Sequence, residues 1–164
     1  MLEAFGRHGA ATISSDAIVH ELIASDADVR GALEDRLGTT DRTEIGKIVF
    51  ADRSQLEWLE SLLHPRVVAR YLDWRERQDA PLTVSEVPLL YETGGETRFD
   101  KVVVVTAPKA LRDARRTPFP GDRELHLLPD REKAKRADFV YVNTGSLEDL
   151  DRFVAGVVGE LAES

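Results

Sequence analysis

The stretch "LTVSEVPLLYETG", residues 82–94, decides the fold. A β-branched run ends in Glu86, Val87 and Pro88, and a second acid, Glu92, follows an apolar "LLY". Such a run reads as a strand, and Pro88, which cannot donate to a ladder, marks its end. Glu86 then stands at a strand end, where an acid can face a cleft instead of the core. Three other stretches have the same character: "AATIS" at 10–14, "FDKVVVVTAP" at 99–108 and "ADFVYVN" at 137–143. Near-continuous apolar strands separated by helical stretches predict a parallel sheet with helices on both faces and right-handed crossovers. The class is α/β.

The helices come from apolar residues at spacings of three and four. "MLEAFGRHG" reads as the last part of a helix closed at Gly9. Asp16 sits where the first strand gives way to a helix carrying Ile18, Val19, Leu22 and Ile23. From 26 to 78 the pattern is all helical: Val29, Leu33 and Leu37 before Gly38, then "TEIGKIVF", then "SQLEWLESLL". Pro65 suits the first turn of another helix, which leaves His64 at or just before that helix start with backbone amides facing an opening. Near the end, Ser146 and Asp149 form a near capping box ahead of a stripe of Leu150, Phe153, Val154, Val157 and Leu161, expected to pack on the sheet. The prolines and charges of "TPFPGDRELHLLPD" mark a mobile loop or a short lid, within a lid region of 111–136.

Composition narrows the function. A chain of 164 residues, 42% hydrophobic and 32% charged, has room for one domain, 1–164, with a sizeable core. A net charge of −8 argues against nucleic acid or an anionic membrane surface as a partner, so any phosphate site is local. With no cysteine, thiolate metal sites and disulfides are excluded, which fits the reducing cytoplasm. No apolar run is long enough to cross a bilayer. Asp16, Glu86, the "TAP" turn at 106–108 and Asn143 all fall at the carboxyl ends of expected strands, where ligands of open α/β sheets gather.

Taken in order, these segments resemble the dephospho-CoA kinases, a family of P-loop kinases. "ISSDAIVHELI" is similar to the strand, turn and helix that present an acid to the acceptor sugar. "DRTEIGKIVFADRSQLEWLESLLHPRVV" resembles the helical substrate lobe with its His-Pro pair, here 26–78. "SEVPLLYETG" resembles the acid-x-Pro-Leu-Leu-aromatic-Glu signature, and "REKAKRADFVYVNTGSLEDL" the lid exit, last strand and nucleotide-binding asparagine.

The resemblance implies transfer of the ATP γ-phosphate to the ribose 3'-hydroxyl of dephospho-CoA, with Mg2+ as cofactor and both substrates as partners. It implies Asp16 as the base, with an N-cap as its plainer alternative. His64, Arg66, Pro88 and Glu92 fall on the substrate side. Glu86, where the family usually has aspartate, would hold Mg2+ through water, and Asn143 would contact adenine. Arg112, Arg115 and Arg116 of the lid would stabilise charge on the transferring phosphoryl group. The motif G-x-x-x-x-G-K-[ST], which in such kinases surrounds the phosphates, does not occur in the 164 residues. The expected fold is thus truncated at its first strand, with about 20 residues of strand and loop expected upstream of Met1. The lack of that central strand would leave neighbouring edges unpaired, and the chain alone is expected to phosphorylate dephospho-CoA poorly. Two other readings stay open: another small-molecule P-loop kinase, or a non-catalytic nucleotide- or CoA-binding remnant.

Overall fold

The structure is a computed structural model and describes residues 1–111 and 128–163. The chain divides into two compact units, Ile13–Val87 and the combination of Met1–Thr12 with Pro88–Ser164.

The unit Ile13–Val87 is mostly helical. Strand β1 (Ala11–Ser14), whose last residues open the unit, pairs with β2 (Thr83–Glu86). Between them run α2 (Ser15–Ser25), α3 (Ala27–Leu37), α4 (Arg42–Ala51) and α5 (Arg53–Glu76). Three aspartates begin three of these helices. Asp26 accepts from the Val29 amide at 3.0 Å, Asp41 from Thr43 and Glu44 at 2.9 and 3.0 Å, and Asp52 from Ser54 at 2.8 Å. Each bond satisfies an amide that the first helical turn leaves without a partner. Gly38 ends α3 with φ of 70°, a left-handed conformation that costs glycine nothing. Helix α2 packs on α3 and α5, and α5 on α4, burying Leu22, Val29, Leu33, Ile45, Leu59 and Leu63.

One expectation fails here. Pro65 does not start a helix; it lies inside α5, which continues from Arg53 to Glu76. A proline removes one backbone hydrogen bond and costs about 3 kcal/mol in a helix interior. Leu59 and Leu63 before it and Tyr71 after it are all buried, at spacings of four and eight. Burial worth about 1.5–3 kcal/mol for each large side chain outweighs that cost and carries the helix through.

The other unit begins with α1 (Leu2–Arg7), whose Ala4 and Phe5 are buried and which stops before Gly9 at φ of 88°. After the turn at 88–94 come a short 3-10 helix (Gly95–Arg98), β3 (Val103–Thr106), α6 (Asp130–Arg136), β4 (Phe139–Val142) and α7 (Leu147–Ala162). Strands β3 and β4 are parallel, in register from Val103 opposite Phe139 to Thr106 opposite Val142. Parallel partners need a long crossover, and the chain between Thr106 and Phe139 provides it. Since side chains alternate, Val103, Val105, Phe139 and Tyr141 share one face of this pair, and Val104, Thr106, Val140 and Val142 share the other. Helix α7 packs on β4 at the first face, with the Tyr141 and Phe153 rings 5.0 Å apart and Val154 and Val157 buried, while Val105 of that face is exposed; α6 packs on β3. The Ser146 hydroxyl accepts from the Asp149 amide at 3.2 Å, the half of the capping box read from the sequence. Arg7 joins α1 to α7 through Asp151 at 2.8 Å.

The α/β class is as expected, with helices on both faces of the β3–β4 pair. The strands, however, form two two-stranded sheets, β1–β2 and β3–β4, where the pattern predicts one. A hydrophobic run identifies a strand but says nothing about which neighbour receives its hydrogen bonds.

Candidate functional site

In the unit Ile13–Val87, Asp16 is the second residue of α2. The cap position belongs to Ser14, which makes no side-chain cap bond, so the plainer role of Asp16 as the N-cap is not the one it has. It is exposed, and its carboxylate has no hydrogen bond or ion pair among the described residues. The helix N-terminus favours negative charge there. Glu86 ends β2, also exposed and also without a partner among the described residues. Both acids therefore follow strands that pair with one another. His64 is exposed in the middle of α5, so the free helix amides expected beside it do not exist. Arg66, two residues on and half-buried, donates to the Leu62 carbonyl at 2.8 Å.

In the other unit the turn after β2 is built around a mostly buried acid. Pro88 is exposed at its start. Glu92 is only 12% exposed; its Oε1 meets the Lys133 ammonium at 2.7 Å and accepts from the Leu128 amide at 3.1 Å. Burial pushes this carboxyl up, but the Lys133 bond and the backbone amides outweigh it and hold Glu92 below the usual carboxylate range. Its second oxygen, Oε2, is buried with no partner among the described residues, as is the Tyr91 hydroxyl. The Arg136 guanidinium lies 5.7 Å from the centre of the Tyr91 ring. Burial, then the charges of Glu96 and Asp138, push the Tyr91 phenol up, against a smaller opposing effect of Arg136.

The carboxyl ends of β3 and β4 come together in the same unit. The Asn143 amide donates to the Thr106 carbonyl at 2.7 Å, and the Asn143 Oδ1 accepts from the Gly145 amide at 3.0 Å. That second bond makes Asn143 a turn residue, as its place before Gly145 suggests, and leaves its side-chain NH2 for a further acceptor. An open recess of about 400 Å³ lies beside it, lined by Thr106, Ala107, Pro108, Val140 and Val142 with Asp130 and Arg131 of α6. The "TAP" turn and Asn143 thus share one corner. Arg112, Arg115 and Arg116 lie outside the described residues. Among the described residues no cluster of three or more His, Cys, Asp or Glu could hold a metal by itself.

Sequence reasoning misses Lys133. The signal was present, since an acid behind "PLLY" is set up for burial and a buried acid needs a cation. "REKAKR" offers four candidates, however, and only folding selects one.

A family model described as dephospho-CoA kinase matches residues 1–149. The dephospho-CoA kinase of Thermus thermophilus is 39% identical over 131 residues, covering 76% of this chain and 64% of that protein. The dephospho-CoA kinase of Brucella abortus is 33% identical over 174 aligned positions, covering 96% of this chain and 86% of its own length. The crystal structure of TT1252 from Thermus thermophilus superposes with a TM-score of 0.74 at 31% identity, over 97% of this chain and 88% of that one. A dephospho-CoA kinase from Campylobacter jejuni shares the fold, with a TM-score of 0.68 at 23% identity over 98% of this chain and 91% of that one. The chain spans less than two thirds of the Thermus thermophilus kinase, and in sequence and in fold it belongs to the dephospho-CoA kinase family.

Proposed function

We propose that the protein transfers the γ-phosphate of ATP to the ribose 3'-hydroxyl of dephospho-CoA, the step that yields coenzyme A. The family match over residues 1–149 carries this reading. Asp16 takes the hydroxyl proton as the oxygen attacks: its carboxylate is exposed, unpaired among the described residues and set at a helix start after a strand. His64 and Arg66, two residues apart on α5, each hold a phosphate or ribose group of the CoA portion; Arg66 gives one N–H to Leu62 and keeps others for an anion. Helices α3 to α5, within 26–78, form the substrate lobe, and Pro88 and Glu92 shape the turn on the substrate side. Asn143 offers its free NH2 to the adenine. Arg112, Arg115 and Arg116, in the lid region 111–136, stabilise negative charge as the phosphoryl group moves.

Glu86 fits Mg2+ in one respect: its carboxylate is exposed and unpaired among the described residues, as contact through water requires. Mg2+ keeps several waters and takes its other ligands from phosphate, so a single carboxylate suffices. When bound, the ion would supply charge neutralisation on the phosphates. The reaction belongs in the cytoplasm, in keeping with the cysteine-free sequence, and no helix among the described residues is long and apolar enough to cross a membrane.

The second reading is a non-catalytic nucleotide- or CoA-binding protein. One experiment separates the two. The chain, and the same chain extended by its upstream codons, are incubated with ATP, Mg2+ and dephospho-CoA, and coenzyme A is measured by chromatography. Coenzyme A from either form supports the kinase. Binding of both substrates with no product from either form supports the second reading. Turnover of a nucleoside monophosphate or shikimate in place of dephospho-CoA shows a different small-molecule kinase.

A further inference from the structure

We propose that Lys133 is a positioning residue for the transfer reaction and acts through Glu92. This rests on the kinase reading above. The two side chains are 17% and 12% exposed and meet at 2.7 Å, and among the described ion pairs this is the most deeply buried. Glu92 belongs to the turn at 88–94, which opens with Pro88 on the substrate side. Lys133 belongs to α6, which leads through Asp138 into β4 and so to Asn143 on the nucleotide side. Asp138 is itself fixed, bonded to the Val102 amide at 2.9 Å and to Lys101 at 3.0 Å. One buried bond therefore sets the distance between the turn that meets the acceptor and the strand that ends at the adenine.

Two further contacts run along the same line: the Leu128 amide to Glu92, and Arg136 over Tyr91. Gly95 shows how closely the turn is packed. A methyl group there would come within 2.7 Å of the Arg98 guanidinium and 3.3 Å of the Leu90 carbonyl oxygen. Of the two Glu92 oxygens, Oε1 is engaged by Lys133 and the Leu128 amide, while Oε2 is shut off from solvent. The place of Glu92 in the family signature is accounted for by what it holds. In-line phosphoryl transfer depends on alignment, and a misplacement of about 1 Å can cost about a hundredfold in rate.

The test compares the parent with Lys133→Met and with Lys133→Met/Glu92→Gln, in whichever form makes coenzyme A. Lys133→Met should lower kcat at least tenfold and leave KM for both substrates within threefold. It should also lower the thermal midpoint. The double variant removes the stranded charge, so the midpoint should return most of the way while kcat stays low. A purely structural pair would show kcat returning with the midpoint, or kcat within twofold of the parent in Lys133→Met, and either result overturns the proposal. If neither form turns over, the kinase reading has failed and amide exchange still decides the geometry. Exchange should be at least tenfold faster in the turn at 89–94 and in α6 of Lys133→Met, with α7 unchanged. Unchanged exchange in the turn overturns the link.

Discussion

Glu86 and Glu92 stand on either side of the same proline and live in opposite surroundings. Glu86, in the unit Ile13–Val87, is exposed and unpaired among the described residues, as are Asp16 and His64 of that unit. Glu92, in the other unit, is buried against a lysine and a backbone amide. Two acids that look alike as letters differ in solvation. Glu86 has no partner among the described residues and, on the proposed function, is kept for a ligand. Glu92 has its charge met by Lys133 while it stays ionised.

The comparison predicts different responses to neutralising each kind of charge. Asp16→Asn keeps the size of the side chain and should lower turnover by at least about a hundredfold, as loss of a general base does, with stability changed by less than about 0.5 kcal/mol. Equal loss of turnover and stability would place Asp16 among the structural acids. Lys133→Met should instead lower stability as well as kcat, by about 1–3 kcal/mol in denaturant titration, because it leaves a mostly buried carboxylate without its cation. The pH dependence sharpens the contrast. Glu92 has its folded pKa below its unfolded value, so its contribution is present above about pH 4.3 and lost as pH falls through the folded value. Without Lys133 its bond and charge no longer lower the folded value, and burial is opposed by the backbone amides alone. Stability of Lys133→Met should then gain less than the parent as pH rises from about 4 to 7, and parallel curves would contradict the pairing. The smallest effect, about 1 kcal/mol of stability without change in KM, belongs to Ser146→Ala, which removes only the cap of α7.

What the sequence reveals follows the range of the interaction. Strand runs, the α7 stripe, the stop at Gly9 and the place of Asp16 after a strand depend on neighbours within a few residues, and all are found. Pro65 misleads because its local preference for a helix start is overridden by apolar burial on both sides of it. The pairing of strands two by two, and the choice of Lys133 for Glu92, depend on chain segments far apart. The Leu128 amide that completes the Glu92 site is 36 residues away in sequence. Local pattern locates the acids; only tertiary packing decides which are spent on the fold.

The most direct measurement of the central claim, that the exposed charges of the helical lobe face the CoA substrate, is amide hydrogen exchange with and without dephospho-CoA. Slower exchange should concentrate in residues 26–78, above all around His64 and Arg66 of α5, and should diminish in a His64→Ala/Arg66→Ala variant that keeps the parent's thermal midpoint. Protection confined to β3, β4 and α7, with α3 to α5 unchanged, would contradict the account.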